Sequence, residues 1–159
     1  MVNFLFLLTA ISPAFASLPS SEWIKVDHPS VDAFFSGTRN KEYLTVVKNQ
    51  ADEKMNFNGQ SDANIAHVLT LLRRVSLAPF GISDWKIDKL SQSLYKNQLR
   101  LQIQGTYINK SGNEVSFFER MYFHDKKFTQ LSWIQTEGAK SSTSERIEGF
   151  FKELETEYL

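Results

Sequence analysis

The chain of 159 residues contains no cysteine. This absence excludes disulfide bonds, thiolate metal sites and cysteine nucleophiles together. It also excludes the small secreted folds that are stapled by disulfides, and a lipid anchor attached to a cysteine behind an export signal. The fold must therefore be held together by side-chain packing alone.

The chain also lacks an excess of charge of either sign, since 18 Lys and Arg residues balance 18 Asp and Glu residues. A protein that binds a phosphate backbone or an anionic membrane surface needs a basic patch or stripe. We therefore expect no nucleic-acid partner for this protein.

Long apolar runs are lacking as well: residues 4–11 form a short run, whereas a helix that crosses a bilayer needs roughly 20 residues. Ala14 and Ala16 follow it with the spacing of a signal-peptide cleavage site. We predict that residues 1–16 are a signal peptide and that cleavage occurs between Ala16 and Ser17. The mature chain would have no transmembrane segment and would be exported, to a periplasm or to the extracellular space. Residues 1–3 carry no Lys or Arg, so either the signal is atypical or the true start lies upstream.

Residues 17–159 have the length of one ordinary domain, and no repeat or linker divides them. A helical period begins at Ser61, which is a suitable N-cap, and Pro79 and Gly81 end it. The apolar stripe of this first helix consists of Ile65, Val68, Leu69, Leu72 and Val75.

A second amphipathic helix is predicted at the end of the chain, where Ser142 and Glu145 fit a capping box. Its apolar stripe consists of Ile147, Phe150, Phe151, Leu154 and Tyr158. We expect this stripe to dock on the sheet, with Phe150 and Leu154 buried.

The other periodic segments are predicted strands, and short loops with turn residues join most of them. These strands cover residues 23–26, 33–35, 43–47, 85–95, 98–108, 114–123 and 128–135. Short hairpin loops predict a largely antiparallel sheet.

The strand at residues 115–123 is apolar on both sides, because Phe118 and Tyr122 alternate with Val115, Phe117, Met121 and Phe123. Residues 43–47 repeat this pattern. A sheet that is apolar on both sides needs cover on both sides. We therefore predict an α+β fold in which helices cover both faces of a largely antiparallel sheet, an α/β/α sandwich.

The order of strand hairpin, helix, antiparallel meander and terminal helix, together with an export signal, resembles the PsbP/DcrB-like family. That family also includes a Ran-binding nucleotide-release factor. The resemblance spans about residues 22–159 and is most suggestive at residues 120–133 and 142–154. It implies an accessory or binding role without catalysis. A competing layout is the cystatin/NTF2-like group, which usually places its helices early in the chain.

Three histidines are the candidates for acid-base chemistry or metal binding at neutral pH: His28, His67 and His124. Their spacing matches no metal-binding template, and His124 and Asp125 should point apart at a strand end. No nucleophile elbow or phosphate-binding loop occurs. We therefore predict no catalytic residue, no cofactor and no metal site.

Three further groups of residues have ordinary structural explanations. The acidic group Glu145, Glu148, Glu153, Glu155 and Glu157 is interpreted as the solvated face of the last helix. Arg73 and Arg74 are interpreted as complementing the dipole of the first helix. Trp85, Tyr95 and Trp133 are expected in the core or as cover of the sheet, and not as a ligand platform. Asn109 to Ser111 is formally a glycosylation sequon, in a loop.

The first functional hypothesis is an exported, soluble, non-enzymatic accessory or binding domain that acts on a protein or cell-envelope partner. The alternative is a carrier of a small hydrophobic ligand, which needs a cavity of about 300 Å³ or more between sheet and helix. A third hypothesis is an enzyme that uses His124 or His28 with nearby carboxylates in a cleft.

Overall fold

The computed structural model describes residues 15–17, 23–28, 31–36, 42–50, 56–124, 127–136 and 144–159. Within these ranges eight strands form one sheet in the order β1-β2-β3-β4-β8-β7-β6-β5. The strands are β1 (Phe15–Ser17), β2 (Trp23–His28), β3 (Val31–Ser36), β4 (Glu42–Gln50), β5 (Ser83–Tyr95), β6 (Gln98–Ile108), β7 (Glu114–His124) and β8 (Lys127–Thr136).

Every pairing in the described part of the sheet is antiparallel, as the short loops predict. One meander runs from β1 to β4 and a second from β5 to β8, and they join where β4 pairs with β8. The helix α1 (Asp62–Leu77) follows the first meander, and α2 (Ser144–Tyr158) follows the second. We call the side of the sheet packed against α1 the α1 face, and the opposite side the α2 face.

The helix α1 begins and ends where its sequence signals lie. Ser61 is the N-cap, and its side chain accepts a hydrogen bond from the backbone N–H of Asn64 at 3.3 Å. A short 3₁₀ turn that contains Pro79 ends the helix, and Gly81 follows with a φ of 73°. The prediction that Val75 belongs to the apolar stripe is wrong, because this residue is 78% exposed. Leu77 is the buried residue of the last turn.

The α1 face is covered from β4 to β5. Side chains of α1 pack there against residues of β6, β7 and β8 in one buried cluster. Trp85 of β5 stacks on Phe117 of β7 with a centroid distance of 4.2 Å. Gly105 of β6 allows this close packing, because a Cβ at that position would lie 2.0 Å from the carbonyl oxygen of Lys86.

The α2 face has a second core, in which α2 packs on β4, β7 and β8. Phe151 is fully buried in this core, and Ile147 and Leu154 are buried beside it. Phe150 is only partly buried, which corrects the prediction that it is a core residue, while the prediction for Leu154 is confirmed. Ser142 of the predicted capping box lies outside the described residues.

The fold class is therefore the predicted one, an α+β fold with a largely antiparallel sheet and a helix on each face. Neither helix is long and apolar enough to cross a membrane, as judged over the described residues. The strand β1 extends across the predicted cleavage junction between Ala16 and Ser17. Cleavage there would leave only Ser17 of this strand, and it stays a prediction.

Candidate functional site

The α2 face is half covered and half open. Its covered half carries large apolar side chains such as Leu44, Leu131 and Trp133, which contact α2. Its open half lies on β5 and β6, where Tyr95 packs against the covered half and six other side chains that point to the same side are polar. They are Lys89, Ser91 and Ser93 of β5 and Arg100, Gln102 and Gln104 of β6. Because α2 packs on the apolar half, a groove is left along the boundary.

This groove has a volume of about 220 Å³. Its lining residues are Lys89, Ser91, Gln102, Gln104, Phe118, Ile147 and Glu148. The hydroxyl of Ser91 donates a long hydrogen bond of 3.5 Å to Gln102. The ammonium of Lys89 and the side-chain amide of Gln104 have no partner within the described ranges. The groove therefore offers a cation, an amide, an apolar patch and the carboxylate of Glu148, which is paired with Arg120, to a bound molecule.

A buried ion-pair network anchors the wall of the groove. Arg120 of β7 donates to Glu148 Oε2 at 2.5 Å and to Glu155 Oε1 at 2.6 Å. Its guanidinium group lies 4.9 Å from the ring centre of Phe151. The hydroxyl of Tyr122 also donates to Glu155. These contacts fix the position of α2 relative to the sheet, and thereby the width of the groove.

The pKa values of Arg120 and Tyr122 in this network are both raised. Burial acts to lower the pKa of Arg120, but the hydrogen bonds and charges of Glu148 and Glu155 outweigh it and raise the pKa. Burial and then the hydrogen bond to Glu155 raise the pKa of Tyr122. Arg120 therefore stays charged and Tyr122 stays neutral near neutral pH, as anchoring groups require.

A second buried cluster lies on the α1 face. Arg73 of α1 donates to Glu119 at 3.2 Å and to Gln130 at 3.1 Å, and Gln130 donates to Glu119 at 3.0 Å. The hydroxyl of Ser132 completes the cluster. Burial raises the pKa of Glu119, although Arg73 and the hydrogen bonds of Ser132 and Gln130 act to lower it. The surrounding core encloses this cluster, so its role is structural.

Two sequence interpretations of charged residues are thereby corrected. Arg73 does more than complement the helix dipole, because it forms a buried ion pair across to the sheet. Arg74 also has a specific partner, the carbonyl oxygen of Trp85 at 3.1 Å. Glu155 is buried and paired, so the acidic residues of α2 do not form a single solvated face. Glu145, Glu153 and Glu157 are exposed as expected.

The histidines are not brought together. His67 is exposed on α1, and His124 is exposed at the end of β7. His28 lies in β2, where it is paired with Val31, and Asp125 lies outside the described residues. No group of three or more metal-ligating side chains that could hold an ion occurs in the parts of the chain that the structure describes.

The three aromatic residues are found in the core or covering the sheet, as predicted: Trp85 and Trp133 are buried, and Tyr95 is partly buried. Trp85 is buried on the α1 face, and Trp133 is buried on the α2 face. Tyr95 packs against Tyr122 with a centroid distance of 5.6 Å. Since these rings lie on both sides of the sheet, they do not form one platform. The sequon lies in the β6–β7 turn, where Asn109 accepts hydrogen bonds from the backbone N–H groups of Ser111 and Asn113.

The sequence reasoning missed the partners of the two buried arginines and the lining of the groove. One signal was present, because Glu119 and Arg120 interrupt an apolar strand at neighbouring positions. Neighbouring residues of a strand point to opposite faces, so each charge needs a partner on its own side. The polar alternation of β5 and β6 gave no comparable signal, since it is typical of an ordinary solvated strand.

Comparisons with known proteins show the fold. No protein-family model and no curated protein matches the sequence. The solution structure of cyanobacterial PsbP (CyanoP) from Synechocystis sp. PCC 6803 is similar over 86% of this chain and 80% of its own, with 13% identity and a TM-score of 0.59. PA94 from Pseudomonas aeruginosa, described as a protein of unknown function and putative regulator, is similar over 84% of this chain and 83% of its own, with 10% identity and a TM-score of 0.50. The chain thus has the PsbP-like fold that its element order predicts.

Proposed function

We propose that this protein is an exported, non-enzymatic accessory domain that binds a protein partner of the cell envelope through the groove beside α2. The partner would present an extended segment in which an apolar side chain lies next to a carboxylate. The observation that carries the proposal is the open polar half of the α2 face, where Lys89 of β5 lines the groove without a partner among the described residues.

The chemistry of the groove defines the segment. Lys89 would bind the carboxylate, and a charge-assisted hydrogen bond of this kind contributes more than a neutral one. Phe118 and Ile147 would contact the apolar side chain. Gln102 and Gln104 offer both donors and acceptors, which suit the amide groups of a peptide backbone.

The rigidity of the groove supports binding. Glu148 lines the groove and is held by Arg120, whose side chain is 3% exposed. Because the network orders this wall before a partner arrives, less entropy is lost on binding.

The shape of the groove favours this proposal over the hydrophobic-ligand carrier. A carrier needs an apolar cavity of about 300 Å³ or more. The groove is smaller, at about 220 Å³, and four of its seven lining side chains are Lys, Ser or Gln. Both cores are filled by packed aromatic and aliphatic side chains.

The non-enzymatic part of the proposal draws support from the placement of the titratable groups. His67 and His124 are exposed on separate elements. The buried carboxylates Glu42, Glu119 and Glu155 are each paired with an arginine. Export rests on residues 1–16, and the mass of the protein recovered outside the cytoplasm should correspond to a chain that begins at Ser17.

The binding proposal is tested with fluorescent hexapeptides that carry Leu or Phe beside Glu, measured by fluorescence anisotropy. Lys89→Glu should weaken binding about tenfold or more, which corresponds to the loss of one charge-assisted hydrogen bond. Lys110→Glu, at an exposed lysine of the β6–β7 turn, is the matched control and should bind as the unaltered protein does. The proposal fails if no peptide binds at millimolar concentration, or if both variants bind alike.

A further inference from the structure

We infer that two copies of this chain associate by antiparallel pairing of their β5 strands, with Gln92 of each copy at the twofold axis. In the described part of the sheet β5 is an edge strand, next to β6 alone. An edge strand presents unpaired N–H and C=O groups to any second strand. This inference is independent of the proposed partner groove.

The outer edge of β5 is protected over only half of its length. Register shifts interrupt it between Ser83 and Lys86 and between Ile87 and Lys89, and bulges of this kind discourage edge-to-edge pairing. From Lys89 to Tyr95 the pairing with β6 is regular. This regular half could therefore accept another strand.

The hairpin turn determines which backbone groups point outward. Lys96 and Asn97 have φ values of 48° and 64°, which are typical of a two-residue type I′ turn. Such a turn closes on a hydrogen-bonded pair, here Tyr95 and Gln98, and the pattern alternates along the ladder. The N–H and C=O groups of Leu90, Gln92 and Leu94 therefore point away from β6.

The side chains at these three positions are complementary to themselves in one register. With Gln92 opposite its own copy, Leu90 lies opposite Leu94 of the second copy, and about six backbone hydrogen bonds form. A shift of two residues would instead place a leucine opposite a glutamine. Leu94 is 75% exposed in the single chain, and this pairing would cover it with the partly buried Leu90.

The central residue of the proposed contact is already ordered. The side chain of Gln92 donates to the carbonyl oxygen of Gln60 at 2.8 Å and to Asp62 at 2.7 Å. These contacts hold the strand to the loop before α1 and leave its outer backbone groups exposed at the edge. Directly opposed residues lie on the same side of a sheet, so the two partner grooves would share one face of the dimer.

The register is tested by mixing two single-cysteine variants, Ser91→Cys and Ser93→Cys, which is possible because the chain has no native cysteine. In the proposed dimer residue 91 of one copy lies opposite residue 93 of the other, as a non-hydrogen-bonded pair with a Cα separation of about 4.5 Å, within the range of disulfides. Oxidation should cross-link the mixture and leave each variant alone mostly uncross-linked. Equal cross-linking of the mixture and the separate variants, or none, would overturn the inference.

Association itself is measured by sedimentation velocity over a range of concentrations. Leu94→Asp should raise the dimer dissociation constant about tenfold or more, because it places a charge opposite Leu90 of the second copy. Val75→Asp is the matched control, since Val75 is equally exposed but lies on α1, and it should dimerise as the unaltered chain does. A chain that is monomeric at all concentrations, or two variants with equal dissociation constants, would contradict the pairing.

Discussion

The two faces of the sheet use the same strands in different ways. On the α1 face the core continues from β4 to β5, and Leu90 and Ile87 of the edge strand still contact it. On the α2 face the buried core residues of the sheet lie on β4, β7 and β8, and β5 and β6 present mostly polar side chains apart from Tyr95, which packs against Tyr122. A single sheet thus has one face that is covered by a continuous core and one that is divided between a core and an open, mostly polar half.

The charged residues of β7 sharpen this comparison. Glu119 points to the α1 face and pairs with Arg73, and both side chains are at most 4% exposed. Arg120 points to the α2 face and pairs with Glu155 and Glu148, and the Glu148 side chain is 41% exposed. The first pair is sealed in a core, whereas the second reaches the groove. Similar chemistry at neighbouring positions therefore has a different exposure on each face.

The substitution with the largest expected effect on stability tests whether α2 belongs to the core. Phe151→Ala should lower the free energy of unfolding by about 3–5 kcal/mol, because it removes a fully buried ring and leaves a cavity. Phe150→Ala is the matched control and should cost clearly less, since that ring is partly exposed. Denaturation by urea measures both. Equal losses would mean that α2 lies on the sheet in another orientation.

The second test breaks the sealed pair on the α1 face. Arg73→Met should cost about 3 kcal/mol at neutral pH, because it leaves Glu119 as an unpaired buried charge. Burial already raises the pKa of Glu119, and loss of Arg73 should raise it further. A carboxyl group with a raised pKa in the folded state favours folding at low pH, so the deficit should shrink as the pH falls toward the ordinary range of glutamate.

This second test has two checks. The variant Arg73→Met with Glu119→Gln should recover part of the lost stability, since neither charge is then buried alone. Urea denaturation of the single variant and the unaltered protein at several pH values gives the deficit directly. A deficit that does not change with pH would show that Glu119 is not the group responsible.

The third test, with the smallest expected effect on stability, compares the two carboxylate partners of Arg120, the buried Glu155 and the partly exposed Glu148. Glu155→Gln should cost about 1–3 kcal/mol, because Glu155 accepts from both Arg120 and Tyr122 in a buried position. Glu148→Gln should cost at most about 1 kcal/mol, since solvent screens this partly exposed carboxylate. Thermal unfolding ranks the two variants. The opposite ranking would indicate that the anchoring of α2 depends on the groove side of the network.

Most of the fold could be predicted because its signals are local. The alternation of residues 115–123 placed Phe118 and Tyr122 opposite Phe117 and Met121, and the structure confirms this division. The cap at Ser61 and the stop at Pro79 are also local effects of backbone geometry. The prediction for Val75 was wrong because the helical period gives only the direction of a side chain, and contacts with the sheet decide that Leu77 and not Val75 is covered in the last turn.

The candidate site could not be predicted in the same way. Polar residues such as Gln102 and Gln104 alternate as in any solvated strand, and no pattern shows that α2 leaves them uncovered. The inward positions of Arg73 and Glu155 depend on groups 46 and 35 residues away in the chain, Glu119 and Arg120. Such separations leave no periodic trace in the sequence.

Local preferences alone were sufficient for the type and order of the helices and strands from β2 onward, though not for the strand β1, and for the apolar character of both sheet faces, because side-chain direction follows the backbone period. The tertiary structure decided which charges are buried, which strands α2 covers, and that β5 is an edge of the described sheet whose second half pairs regularly with β6. These features depend on the distances between segments far apart in the chain, and such distances are set only when the two cores pack.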